Sequence, residues 1–133
     1  MRAAIEGYCA VYAAEKAETE EGKILCQKLE EYLQYEEKLC NEGGDAEEFI
    51  KNDIDFHFAI IDFCGNKRMK EAIVNLRNQI NRIGIKSFYK KNRMKDTTEE
   101  HRKIADAIKN GNASEAEKSV KTHLRSCEEI LKI

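Results

Sequence analysis

No proline interrupts the 133 residues of this chain, so nothing in it forbids long runs of helical backbone hydrogen bonds. Its apolar residues return at spacings of three and four rather than two, and β-branched runs are short, which predicts an all-α fold. Punctuation then divides the chain into six helices. The first runs from the N-terminus to about Lys16, and the second from near Thr19 to about Asn41, where Gly43 and Gly44 stop it. Asp45 and Glu48 form a DxxE capping box for the third, which ends at Gly65. Asn66 caps a fourth helix carrying Met69, Ile73, Leu76, Ile80 and Ile83 toward Phe88, and "KKNRMKD" follows as a loop. Thr97 with Glu100 opens the fifth, which ends at Gly111, and Asn112 with Glu115 opens the sixth. The opening "MRAAIEGYCAVYAAE" is periodic from its first residues with no capping residue before it. That reads as a chain entered in mid-architecture, the C-terminal portion of a longer protein.

Charge and cysteine usage exclude several function classes. Charged residues make up 36% with a net of -2, so this chain has no basic field for DNA. No apolar run approaches the roughly 18 to 20 residues of a membrane span, and the N-terminus lacks the layout of a signal peptide, so a soluble, cytoplasmic domain with no membrane partner is expected. Five cysteines, Cys9, Cys26, Cys40, Cys64 and Cys127, are an odd number without CxxC spacing. They read as free thiols, which argues against a zinc ribbon or a disulfide scaffold.

All three histidines fall on apolar helix faces. On the third helix Phe49, Asp53, Phe56, His57, Ile60 and Cys64 share one stripe, whereas Asp55 and Asp62 point elsewhere. His101 opens the stripe His101, Ile104, Ala105, Ile108, and His123 lies within Ala116, Val120, His123, Leu124, Cys127, Leu131. The short "NGN" connection makes the last two helices an antiparallel hairpin. His101 precedes Gly111 by ten residues and His123 follows it by twelve, so at about 1.5 Å per residue the two imidazoles reach nearly the same height.

Taken alone, Asp53 and His57 are a local polar pair. Four inward titratable groups together need partners, because an unpartnered buried polar group costs roughly 1 to 3 kcal/mol and a lone carboxylate more. A metal ion would satisfy all four. Three imidazoles and one carboxylate suit zinc, nickel, iron(II), copper or manganese better than calcium or magnesium, and leave coordination positions for water or an oxygen ligand. A metalloenzyme is the alternative from another class, since such a site can activate water. There is no HExxH and no ExxH, and Glu6 is the only inward carboxylate this reading finds for a general base. A third reading is a ligand-free dimerising helical module in which the histidines bond one another and Asp53.

"DIDFH", then "GN" at 65 and 66, then "EEHRKIADAIKNGNASEAEKSVKTHL" resemble the C-terminal effector-binding (FCD) domain of GntR-type transcription regulators of the FadR subfamily. "RAAIEGYCAVYAAEKAETEE" extends the resemblance to the N-terminus, so residues 1–133 read as one such ligand-binding and dimerisation domain. Asn112 departs from the family's usual aspartate but caps a helix equally well. The resemblance implies a six-helix antiparallel bundle with a central metal and ligand cavity, the metal held by Asp53, His57, His101 and His123. It implies zinc first, with nickel, iron and manganese as alternatives. It also implies a small carboxylic-acid effector, a homodimer, no enzymatic activity, and DNA contact only through an N-terminal domain absent from this chain. Arg2 matches the family's first-helix arginine and is a candidate for the effector carboxylate, with Arg77 and Thr97 as further candidates. The ordinary alternatives are a surface pair of Arg2 with Glu6, a snorkelling Arg77 and a helix-capping Thr97.

Overall fold

The computed structural model describes residues 2–73, 75–90 and 92–131. Among these the chain is all helical: α1 (Arg2–Glu15), α2 (Glu20–Asn41), α3 (Ala46–Cys64), α4 (Lys67–Ala72), α5 (Leu76–Ser87), α6 (Arg93–Lys109) and α7 (Ala113–Leu131). None of these helices is long and apolar enough to cross a membrane. The expected bundle is therefore present, with seven helices where six were expected.

Helix ends form largely where the sequence marks them. Thr19 accepts from the Gly22 amide, Asp45 from Glu47, Asn66 from Met69 and Asn112 from Glu115, each relieving an orphan amide of a first turn. Gly65 ends α3 in the left-handed region at φ 68°, a conformation that costs glycine little. The expected box at Asp45 is not reciprocal, because Glu48 accepts from the Tyr35 hydroxyl instead.

Two boundaries differ from expectation. The fourth helix is broken into α4 and α5. Its first piece, "KRMKEA", buries no residue fully, so no apolar face holds it in line with α5. The chain turns there with the Leu76 amide on the Ile73 carbonyl, and both side chains are buried. The expected "KKNRMKD" loop is shorter than predicted, because α6 already begins at Arg93. Asn92 makes the turn at φ 64°, a conformation asparagine tolerates better than most residues. The earlier start places Thr97 inside α6 and buries it, so Thr97 is not a cap.

Helix α3 is central, lying against α1, α2 and α5, while α7 packs on α1 and α6 and α2 packs on α6. Phe49, Phe56, Leu29, Leu33, Ile80, Ile104 and Ile108 fill the middle. Ala10, Ala13 and Ala14 give α1 a buried small-residue face. All five cysteines are free thiols, as expected. At Gly84 a β-carbon would lie 2.7 Å from Ile50 Cγ1 and 3.2 Å from Phe88 Cε2, so glycine sets the approach of α5 to α3. Gly84→Ala is expected to lower the urea midpoint by an amount equivalent to about 1 to 3 kcal/mol, the usual range for overpacking.

Candidate metal centre

Helix α3 carries Asp53 and His57 one turn apart, α6 carries His101, and α7 carries His123; one ligand atom from each lies within 4.8 Å of all the others, and all four residues are buried. The hairpin of α6 and α7 thus brings its two imidazoles together, with ring centroids 4.8 Å apart. The His57 ring stacks on His123 at 5.3 Å, and Phe56 stacks flat on His101 at 4.2 Å, which fixes the ring plane of His101.

Every imidazole is held on its outer side by a glutamate. His57 Nδ1 lies 2.5 Å from Glu6, His101 Nδ1 lies 2.8 Å from Glu36, and His123 Nδ1 lies 2.5 Å from Glu100. A ring whose Nδ1–H donates to a carboxylate turns the Nε2 lone pair away from it, here toward the cluster centre. His57 Nε2 and His101 Nε2 lie 3.2 and 3.1 Å from Asp53 Oδ1. Neither approach has hydrogen-bond geometry, and these three buried atoms have no hydrogen-bond partner. Buried polar atoms are rarely left so. Convergent, unpartnered donors of this type fit a divalent transition metal. The borderline donor set admits several metals and names none.

The glutamates are themselves braced. Glu6 takes the Arg2 guanidinium, and Glu36 accepts from Asn52 at 3.3 Å and from Thr98 at 3.4 Å. Glu100 is clamped bidentately by Arg93 at 3.0 and 3.0 Å. Asp53, Glu6, Glu36 and Glu100 formally carry four negative charges, and Arg2 and Arg93 carry two positive ones. The cluster therefore lacks two positive charges, which either two protons or one divalent ion can supply.

The ionisation equilibria follow that shortfall. Burial opposes charge on His101, yet Glu36 and Asp53 outweigh it and push its pKa up to about 10. His57 rises for the same reason, against burial, through Glu6 and Asp53. Burial also opposes the charged form of Asp53, but His57 and His101 hold it well below the usual carboxylate range. Glu6, likewise opposed by burial, is drawn down to about 2 by His57 and Arg2. Burial leads in the opposite direction at His123, where the neighbouring imidazoles assist and take it down to about 4.

Arg2 is not half of a surface pair: it lies partly buried against Glu6, which is almost wholly buried. Thr97 is buried with an unpartnered Oγ1, and it borders a cavity of about 10 Å³ beside Asp53, His57 and His123, room for about one water-sized sphere. Arg77 is not brought to the cluster. It is exposed, with its guanidinium carbon 4.7 Å from the Phe58 ring centroid, the position its snorkelling alternative describes. Glu36, Glu100 and Arg93 are not among the site residues expected from the sequence, where Asp53 is the proposed ligand and Glu6 the only further inward carboxylate named. Glu36 extends the stripe Leu25, Leu29, Leu33, and Arg93 stands seven residues, about two turns, before Glu100 on one helix face. The Glu36 stripe is present in the sequence, whereas the Arg93 spacing becomes meaningful only once α6 begins at Arg93.

Fold and site together define a helical domain built around an interior cluster of three imidazoles and a carboxylate. Residues 1–126 match the family model of the FCD domain, and the chain belongs to that family. It is 27% identical over 131 residues to an uncharacterized HTH-type transcriptional regulator, YdhC, of Bacillus subtilis (strain 168). That alignment spans 98% of this chain and 57% of the relative's length.

In the metal-free domain the charge on His101 stabilises the fold fully below its ordinary pKa of 6.5, and this contribution is lost as pH rises toward about 10. A divalent ion must displace the proton that His101, with its pKa pushed up to about 10, retains at neutral pH. Zinc uptake near pH 7.5 is thus expected to release at least about one proton per ion, measured by calorimetry in buffers of different ionisation enthalpy. Release of none would contradict the charge balance.

Proposed function

We propose that this chain is the effector-sensing domain of a transcription regulator, in which Asp53, His57, His101 and His123 hold a divalent transition metal, zinc first, and a small organic acid binds beside it. One observation carries the reading. Three imidazoles are each oriented by their own glutamate; His57 and His101 bring Nε2 to 3.2 and 3.1 Å from Asp53 Oδ1, those three buried atoms lack hydrogen-bond partners, and His123 supplies a fourth ligand atom within 4.8 Å of the others. Family membership and the likeness to an HTH-type regulator support it.

In this reading the metal, when bound, supplies a coordination position to an oxygen of the acid. The chain's own residues do the rest. The glutamates fix the imidazole tautomers, Phe56 fixes one ring plane, and Arg2 and Thr97 line the small cavity beside the metal donors, which has room for about one oxygen of the acid and not for its body. Sensing requires that the acid bind one arrangement of the bundle better than another. DNA contact is assigned to a domain outside this chain, since the net charge of -2 gives no basic field. A homodimer in the cytoplasm completes the proposal.

The alternative, a water-activating metalloenzyme, is less well supported by the site. Glu6, Glu36 and Glu100 are each committed to an imidazole and to a second donor, so none is placed as an uncommitted general base.

Asp53→Asn is expected to drop zinc content well below one per chain. Asp55→Asn and Asp62→Asn should retain it, because Asp55 is only half-buried and Asp62 is exposed near Lys70. Elemental analysis of the folded proteins checks this. Equal metal content in all three variants would sink the assignment of Asp53.

A further inference from the structure

We infer that the groove between α1, the α4–α5 turn and α7 receives a straight-chain aliphatic monocarboxylic acid, with its carboxylate on Arg2 and its tail on the apolar floor. This deepens the effector-sensing reading and rests on it. The groove has a volume of about 400 Å³, at the small end for ligand sites. Ile5, Ile73, Leu76 and Leu124 are its buried apolar residues, whereas Asn75, Gln79 and Glu128 are exposed. Arg2, Ile83 and Cys127 border both this groove and the small cavity beside the metal donors.

Arg2 is a guanidinium with donors to spare. Its Nε donates to Glu6, and among the described residues neither terminal nitrogen has a hydrogen-bond partner. Such a fork beside apolar walls suits a carboxylate that ends an alkyl chain. A polyhydroxy acid would set some of its hydroxyls against Ile73, Leu76 and Leu124, which offer them no partner, leaving Asn75 and Gln79 to pair the rest. A second carboxylate would meet Glu128. The occupant would also be felt at the metal centre, because Arg2 shares Glu6 with His57.

Three six-carbon acids separate these features: hexanoate, hexanedioate and gluconate, titrated calorimetrically into the zinc-loaded chain with thermal unfolding in parallel. Hexanoate should raise the melting temperature and bind at least about tenfold more tightly than the other two. Arg2→Gln, and Ala3→Trp, which puts an indole into the groove that Ala3 lines, should each weaken hexanoate by about tenfold or more, with zinc content unchanged in Ala3→Trp. Gluconate or hexanedioate binding as tightly as hexanoate would overturn the inference, as would hexanoate binding that Ala3→Trp leaves intact, or no hexanoate binding at all. Hexanoate binding to a chain that takes up no zinc would instead overturn the metal reading and leave the groove assignment standing.

Discussion

The hydrogen bond from each imidazole Nδ1 to its own glutamate is the interaction on which the interior of this domain depends. Three imidazoles and three buried carboxylates, with Glu100 half-buried beside them, carry a large desolvation cost, and only mutual pairing offsets it. Glu6 comes from α1, Glu36 from α2, Asp53 and His57 from α3, Glu100 and His101 from α6, and His123 from α7. Five helices therefore meet at one polar centre, and the packing of Phe49, Phe56 and Ile104 surrounds it. Displacing any of these helices would separate a buried charge from its partner.

Two relays lead outward from that centre. Arg2, Glu6 and His57 form one, and Arg93, Glu100 and His123 form the other. In each, a carboxylate is shared between a guanidinium and a donor imidazole. An anion that engages the guanidinium thereby changes the support of a metal-side ring, which is a physical route for coupling two sites.

Much of this was legible in the sequence. Asp53, His57, His101 and His123 stand on apolar stripes, and a hairpin with arms of ten and twelve residues about Gly111 predicts that two of them meet. The caps at Thr19, Asp45, Asn66 and Asn112 are legible because side-chain capping is a local interaction. What escaped is tertiary. Glu36 reads as one more charge on a helix rich in glutamate until α6 brings His101 against it. Arg93 falls in a polar stretch that reads as loop, and its pairing with Glu100 appears only once α6 begins four residues before the apparent cap at Thr97. The break between α4 and α5 depends on burying Ile73 and Leu76, a gain that helical periodicity alone does not reveal.

X-ray absorption at the zinc edge of the loaded domain reports the atoms around the metal and so tests whether Asp53, His57, His101 and His123 hold it. A first shell of three imidazole nitrogens at about 2.0 to 2.1 Å together with oxygen is expected. A shell of oxygen alone, or one dominated by sulfur at about 2.3 Å, would contradict it.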